Sequence, residues 1–128
     1  MAGVVPDTSV LIAYFNGADI APLEAAIDDG NLVIPPIVVS ELISGAQSTR
    51  DRAAIGELLQ DTPVHATPLE HWIAVGELRR ELRRRGVEVS TPDAHIAQCA
   101  LDRDAVLITR DAIFRKIAGH VSLRLVVE

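Results

Sequence analysis

The stretches VVPDTSVLI (residues 4–12) and VLITRDAIF (residues 106–114) share one build: a short β-branched run ends at a carboxylate, Asp7 or Asp111, and passes at once into an apolar, helix-like segment. Short apolar runs alternating with helix-like segments predict parallel strands covered on both faces and joined by helices. Strands are expected near residues 3–6, 31–34, 62–66, 105–109 and 122–127. The expected fold class is α/β, a single three-layer domain with a mostly parallel sheet of about five strands flanked by helices. A chain of 128 residues, 48% of them hydrophobic, suits that architecture, because a domain of this size buries about two thirds of its unfolded surface without disulfide or metal staples. Aromatic residues make up only 3% of the chain, so aliphatic side chains must build the core.

Helix boundaries are punctuated by capping residues. Gly30 is placed to end one helix before NLVIPP, whose two prolines then end the second strand. Asp19 stands before IAPLEAAIDD as a start signal, and Thr67 opens TPLE with proline at the expected first helical position. Ser90 and Thr91 precede Pro92 and Asp93 in the same manner. The longest helix is expected over about 68–85, with Trp72, Val75, Leu78 and Leu82 on its buried stripe and Gly86 at its end.

In an open α/β sheet, ligands bind outside the carboxyl ends of the strands. Asp7 and Asp111 lie there, whereas Asp28, Asp29, Asp102 and Asp104 precede strands and belong to the opposite edge. Glu41, in IVVSELISG, shares a thin polar stripe with Ser40 and Ser44, and Asp93 falls in the first turn of TPDAHIAQCAL. Both helices begin at the edge where the strands end. Taken singly, Asp7 or Asp111 reads as an N-cap, Asp93 as a partner of a helix dipole and Glu41 as a solvated side chain. Taken together, four converging carboxylates repel one another and raise one another's pKa values. A hard divalent cation such as Mg²⁺ or Mn²⁺ removes that conflict.

Other chemistries find less support. The formal net charge of −6 and pI near 5.1 argue against a general nucleic-acid coat, though not against a nuclease that gathers acids around metal. Cys99 is the only cysteine, so no internal disulfide and no Cys-based zinc site is expected, and it reads as a small buried hydrophobe. His65, His71, His95 and His120 are read as scattered rather than as zinc ligands, with His95 structural. No nucleophile elbow, phosphate loop or dinucleotide turn is present. The run LRRELRRRG concentrates Arg79, Arg80, Arg83, Arg84 and Arg85 at a helix end, either as a solvated face helped by Glu77 and Glu81 or as a phosphate-contacting patch. No apolar run approaches a membrane span and the start carries no basic leader, so a cytoplasmic protein is expected.

VVPDTSVLI, VVSELISG, TPDAHIAQCAL and VLITRDAIF, in this order and across the chain, resemble the four acidic motifs of PIN-domain ribonucleases. The length and the DTSVLI and T-x-D-x-x-F forms most resemble VapC-type toxins of type II toxin–antitoxin modules. The resemblance implies a single PIN-like nuclease domain over residues 1–128 and an Mg²⁺- or Mn²⁺-dependent endoribonuclease. Asp7, Glu41, Asp93 and Asp111 would be the metal ligands and catalytic acids, supported by Thr8, Ser9 and Thr109. Water activated by the metal would hydrolyse the RNA phosphodiester without a protein nucleophile. The arginine run and Arg110 are the candidate RNA contacts. The resemblance further implies a homodimer and a cognate antitoxin whose C-terminal segment packs in an apolar groove, with SVLIAYF and IVVSELI as candidate walls of the groove or the dimer face. The alternatives are a free-standing PIN nuclease of RNA processing and a metal- or RNA-binding module that does not cut. A phospho-receiver or a haloacid-dehalogenase-like phosphatase fits less well, because the chain has DTS instead of D-x-D and its one lysine, Lys116, lies in a helical stretch.

Overall fold

The computed structural model describes residues 3–128. In chain order it contains β1 (Val4–Pro6), α1 (Thr8–Phe15), α2 (Ala21–Asp29), α3 (Pro36–Gly45), α4 (Thr49–Asp61), α5 (Leu69–Arg84), α6 (Thr91–Arg103), β2 (Val106–Thr109), α7 (Ile113–Ala118) and β3 (Arg124–Val127). The three strands form a parallel sheet in the order β1-β2-β3, with Val4 opposite Val106 and Val106 opposite Arg124. Beyond β1 the sheet continues through single parallel bridges, Val4 to Leu32 and Ile34 to Val64. The five expected chain segments are thus side by side, but 31–34 and 62–66 are bridges instead of ladder strands. Prolines account for this: Pro35 and Pro36 turn the second segment straight into α3, and Pro63 can accept the Ile34 N–H at 3.0 Å but has no N–H to return.

Aliphatic side chains fill the interior as the scarcity of aromatics requires. Leu11, Leu23, Leu32, Ile34, Leu82, Leu107 and Ile108 are fully buried, joined by Phe114 and Ile117 from α7. Gly30 ends α2 with φ 71°, a left-handed value that glycine adopts without strain. Ser90 caps α6, its hydroxyl accepting the Asp93 N–H. Two other starts move by a residue. Ile20, not Asp19, holds the N-cap of α2, and the Glu24 carboxylate accepts the Ile20 N–H at 3.0 Å. Pro68, not Thr67, holds that of α5, with no side-chain cap. The buried stripe of α5 is His71, Val75, Leu78 and Leu82, whereas Trp72 is 41% exposed. His71 takes the interior position because the Asp102 carboxylate and the buried His95 ring satisfy both of its ring nitrogens. Helix α4, capped by Ser48, is an element that the strand and helix signals above did not mark.

A candidate metal-dependent active site

β1 and β2 lie side by side and end together, so the residues that follow them are neighbours despite about a hundred intervening positions. Asp7 caps α1, its Oδ1 accepting the Val10 N–H at 3.0 Å and the Ser9 hydroxyl at 2.7 Å. Its Oδ2 accepts the hydroxyl of Thr109, the last residue of β2, at 2.5 Å. The same Thr109 oxygen accepts the Asp111 N–H at 2.9 Å, and Asp111 Oδ1 accepts the Ile113 N–H at 3.1 Å. Thr109 therefore ties the two strand-end acids into one unit. The Arg110 N–H reaches the Ser9 hydroxyl at 3.3 Å, closing the turn between the strands.

The other two acids arrive on helices. Glu41 lies on α3, and the Thr8 hydroxyl donates to its Oε1 at 2.5 Å. Asp93 sits in the first turn of α6. Asp7, Glu41, Asp93 and Asp111 line a single cleft of about 250 Å³, walled also by Thr8, Ser9, Ile12 and Ile96. None of Asp28, Asp29, Asp102 or Asp104 lines it. Thr109 lies behind Asp7, fully buried.

Electrostatics agree with this convergence. Burial raises the Asp7 carboxyl above its usual range, with Asp111 adding to the shift, while the bonds from Thr109, Ser9 and Val10 oppose it. Asp93 is likewise raised, first by burial and then by the charges of Asp111, Glu41 and Asp7, against the bond from Ser90. Asp93 thus senses the other three acids as like charges, and Asp7 senses Asp111. Among the described residues the four acids form no group of three whose oxygens all lie within 4.8 Å of one another, a spacing that like charges favour. The residues fit a hard divalent cation of the Mg²⁺ class: the donors are carboxylate oxygens, the cleft has room for water, and such ions keep several waters. The capping and metal-binding readings of Asp7 are compatible, since the Val10 N–H and the Ser9 hydroxyl fill Oδ1 while the Thr109 hydroxyl takes one side of Oδ2, leaving a lone pair on Oδ2 for an ion.

The arginine run lies outside the cleft. Arg79 donates to the Val89 carbonyl at 2.8 Å, bracing the loop before α6. Arg80, Arg83, Arg84 and Arg85 each lie within 4.0 Å of a carboxylate of Glu77, Glu81 or Glu88. That is the arrangement of a solvated helix end. A second groove, of about 200 Å³, adjoins the acid cleft by sharing Ile12 and Glu41. Phe15, Leu42 and Ile55 give it apolar walls from α1, α3 and α4.

Three histidines that look scattered in the sequence meet in space. His71 Nδ1 lies 2.6 Å from Asp102 Oδ2 and His71 Nε2 lies 2.7 Å from His95 Nδ1, while His65 Nε2 approaches the same Asp102 oxygen at 3.2 Å. Trp72 stacks on His95 with ring centroids 4.7 Å apart. His65 and His71 in fact carry an H-x₅-H spacing, the one sequence signal that points to this cluster. His95 is fully buried, and its Nε2 can accept the Ile37 N–H at 3.5 Å.

The PIN domain family model matches residues 4–120. No curated protein matches the sequence. Among solved structures, the chain is similar to one in DNA-bound VapBC from Salmonella typhimurium, with TM-score 0.83, 26% identity, and coverage of 99% of this chain and 98% of that one. Similarity to a chain of VapBC-5 from Mycobacterium tuberculosis, a member of the VapBC family of toxin–antitoxin systems, gives TM-score 0.72 and 28% identity, over 99% of this chain and 98% of that one. A chain of VapBC2 from Rickettsia felis, bound to a promoter DNA fragment, superposes with TM-score 0.82 at 21% identity over 100% and 99%.

Proposed function

Because the chain belongs to the PIN domain family, whose model spans residues 4–120, we propose that it is a VapC-type toxin, a divalent-metal-dependent endoribonuclease held in check by a cognate antitoxin. The observation that carries this reading is the single cleft lined by Asp7, Glu41, Asp93 and Asp111. These four side chains would hold Mg²⁺ or Mn²⁺. The ion, when bound, supplies Lewis-acid activation of water and charge stabilisation at the phosphodiester. The protein's own part is to place the carboxylates. Thr109 fixes Asp7, Thr8 fixes Glu41, and Ser90 fixes the first turn that carries Asp93. A carboxylate facing the substrate accepts the proton released by the attacking water. Arg110, exposed between Thr109 and Asp111, would contact an RNA phosphate, and the arginine run would add a more distant basic surface.

The apolar groove beside the cleft is the proposed seat of the antitoxin segment. It uses Ile12 and Phe15 from SVLIAYF, Leu42 from IVVSELI, and also α4. An antitoxin arginine reaching Glu41 from that groove would place a cation among the acids and compete with the metal. The exposed apolar residues Leu69, Trp72 and Ile73, on one face of α5, are the proposed contact for a second copy of the chain. No described helix is long and apolar enough to cross a membrane, and a cytoplasmic location is part of this proposal.

The test is cleavage of structured RNA by purified protein with Mn²⁺ or EDTA, beside Asp93→Asn. The expected result is cutting that requires both the metal and Asp93. Cutting that survives EDTA or the substitution would refute the four-carboxylate mechanism. Metal-dependent stabilisation without cutting of any RNA offered would instead favour a binding module.

A further inference from the structure

We propose that His65, His71 and Cys99 form a second, buried metal site, suited to Zn²⁺ or a similar borderline-soft divalent ion and separate from the carboxylate cleft. One ligand atom from each of the three lies within 4.8 Å of the others, and all three residues are buried. No residue of this group lines the acid cleft. The donor set is imidazole and thiolate, which favours zinc over magnesium.

The hydrogen bonds place one carboxylate against both imidazoles. Asp102 Oδ2 faces His65 Nε2 at 3.2 Å and His71 Nδ1 at 2.6 Å. A carboxylate only accepts, so both imidazoles spend their N–H on the same oxygen. That leaves His65 Nδ1 and His71 Nε2 as lone-pair donors. A ligating histidine that gives its other N–H to a carboxylate is the usual outer-shell arrangement of a zinc site. His65 Nδ1 is buried and has no hydrogen-bond partner among the described residues. An orphan acceptor of this kind is destabilising unless something occupies it. At His71 Nε2 the place is taken by the His95 N–H at 2.7 Å, which the ion would displace.

The other Asp102 oxygen accepts the Gln98 amide N–H at 2.8 Å, which holds the carboxylate in place beside both imidazoles. The Cys99 thiol is free and buried, and an ion bound by its thiolate form takes the place of the thiol proton. Ligand atoms of a tetrahedral zinc lie roughly 3.3–3.8 Å apart, given bonds of about 2.0–2.3 Å. Contraction from the present spacing asks for side-chain shifts of about an ångström. The ion would link α5 through His71, α6 through Cys99, and the segment beside Ile34 through His65.

Co²⁺ is the probe, because a thiolate ligand produces a near-ultraviolet charge-transfer band that carboxylate ligation does not. Wild-type protein is equilibrated with Co²⁺ natively and also after unfolding and refolding in its presence. The expected result is the thiolate band, titrating to one ion per chain, displaced by Zn²⁺, and kept in Asp93→Asn. It disappears in Cys99→Ser, and His65→Gln weakens Co²⁺ binding at least tenfold. Absence of the band from wild-type protein under both conditions overturns the site, whatever the variants do. So does its persistence in Cys99→Ser. The spectrum reports thiolate ligation alone, so the result stands apart from whether the chain cuts RNA.

Discussion

Thr109→Val isolates the hydroxyl that joins the two strand-end acids. Thr109 is fully buried and Asp7 is 3% exposed, so water cannot readily replace the 2.5 Å bond to Asp7 Oδ2. Valine keeps the shape and leaves no cavity, which confines the loss to hydrogen bonding. A bond to an ionised group is worth about 1.5–3 kcal/mol. The Asp111 N–H also loses its acceptor, but Asp111 is exposed and solvent can serve it. The expected destabilisation at neutral pH is therefore about 1.5–3 kcal/mol in urea unfolding with EDTA present. For a domain of this size that corresponds to a fall in Tm of about 5–15 °C. The deficit has a sign with pH. The Thr109 bond favours ionised Asp7 and lowers its pKa, so the deficit is largest when Asp7 is charged and shrinks as pH falls through its folded value. In an Asp7→Asn background the same substitution should cost much less, giving a coupling energy of about 1 kcal/mol or more. A neutral-pH deficit under about 0.5 kcal/mol, or one that is the same with Asn at position 7, would refute the reasoning.

Two further outcomes follow from the same carboxylates. Asp7 and Asp93 both have folded pKa values raised above the usual 3.8, so the stability they contribute is present below that value and is lost as pH rises through their folded values; in EDTA, Asp93→Asn should match or exceed wild-type Tm at neutral pH, with the difference closing as the solution is acidified, and a variant that is less stable at neutral pH would contradict the shift. Mn²⁺ at about 100 times its dissociation constant should stabilise the wild-type chain by about 2.7 kcal/mol, reversed by EDTA, whereas Asp93→Asn should lose most of that gain; equal stabilisation of the two proteins by calorimetry would exclude Asp93 from the metal site.

Much of the site was legible in the sequence because strand ends are. A β-branched run that stops at Pro6 or Thr109 marks where a parallel strand leaves the sheet, and an acid just beyond it stands at the ligand-binding edge. The same rule placed Asp102 and Asp104 away from the cleft. Glu41 and Asp93 stood out as candidates because their apolar helices admit few other polar residues, and both line the cleft. Less legible were the elements whose form depends on neighbours. Segments 31–34 and 62–66 have strand composition but form only bridges, since their prolines limit the ladder. Trp72 fits the apolar periodicity of α5, yet His71 occupies the interior because Asp102 and His95 complete its hydrogen bonds.

The sequence by itself determined the α/β alternation, the aliphatic core and the acids at two strand ends, because each follows from local spacing and from the turn chemistry of a few adjacent residues. Only the tertiary structure decided which side chains share a hydrogen bond: Thr109 with Asp7 across 102 positions, Thr8 with Glu41 across 33, and His71 with Asp102 across 31. A hydroxyl or an imidazole is chemically ambivalent until its partner and its distance from water are known, and packing supplies both.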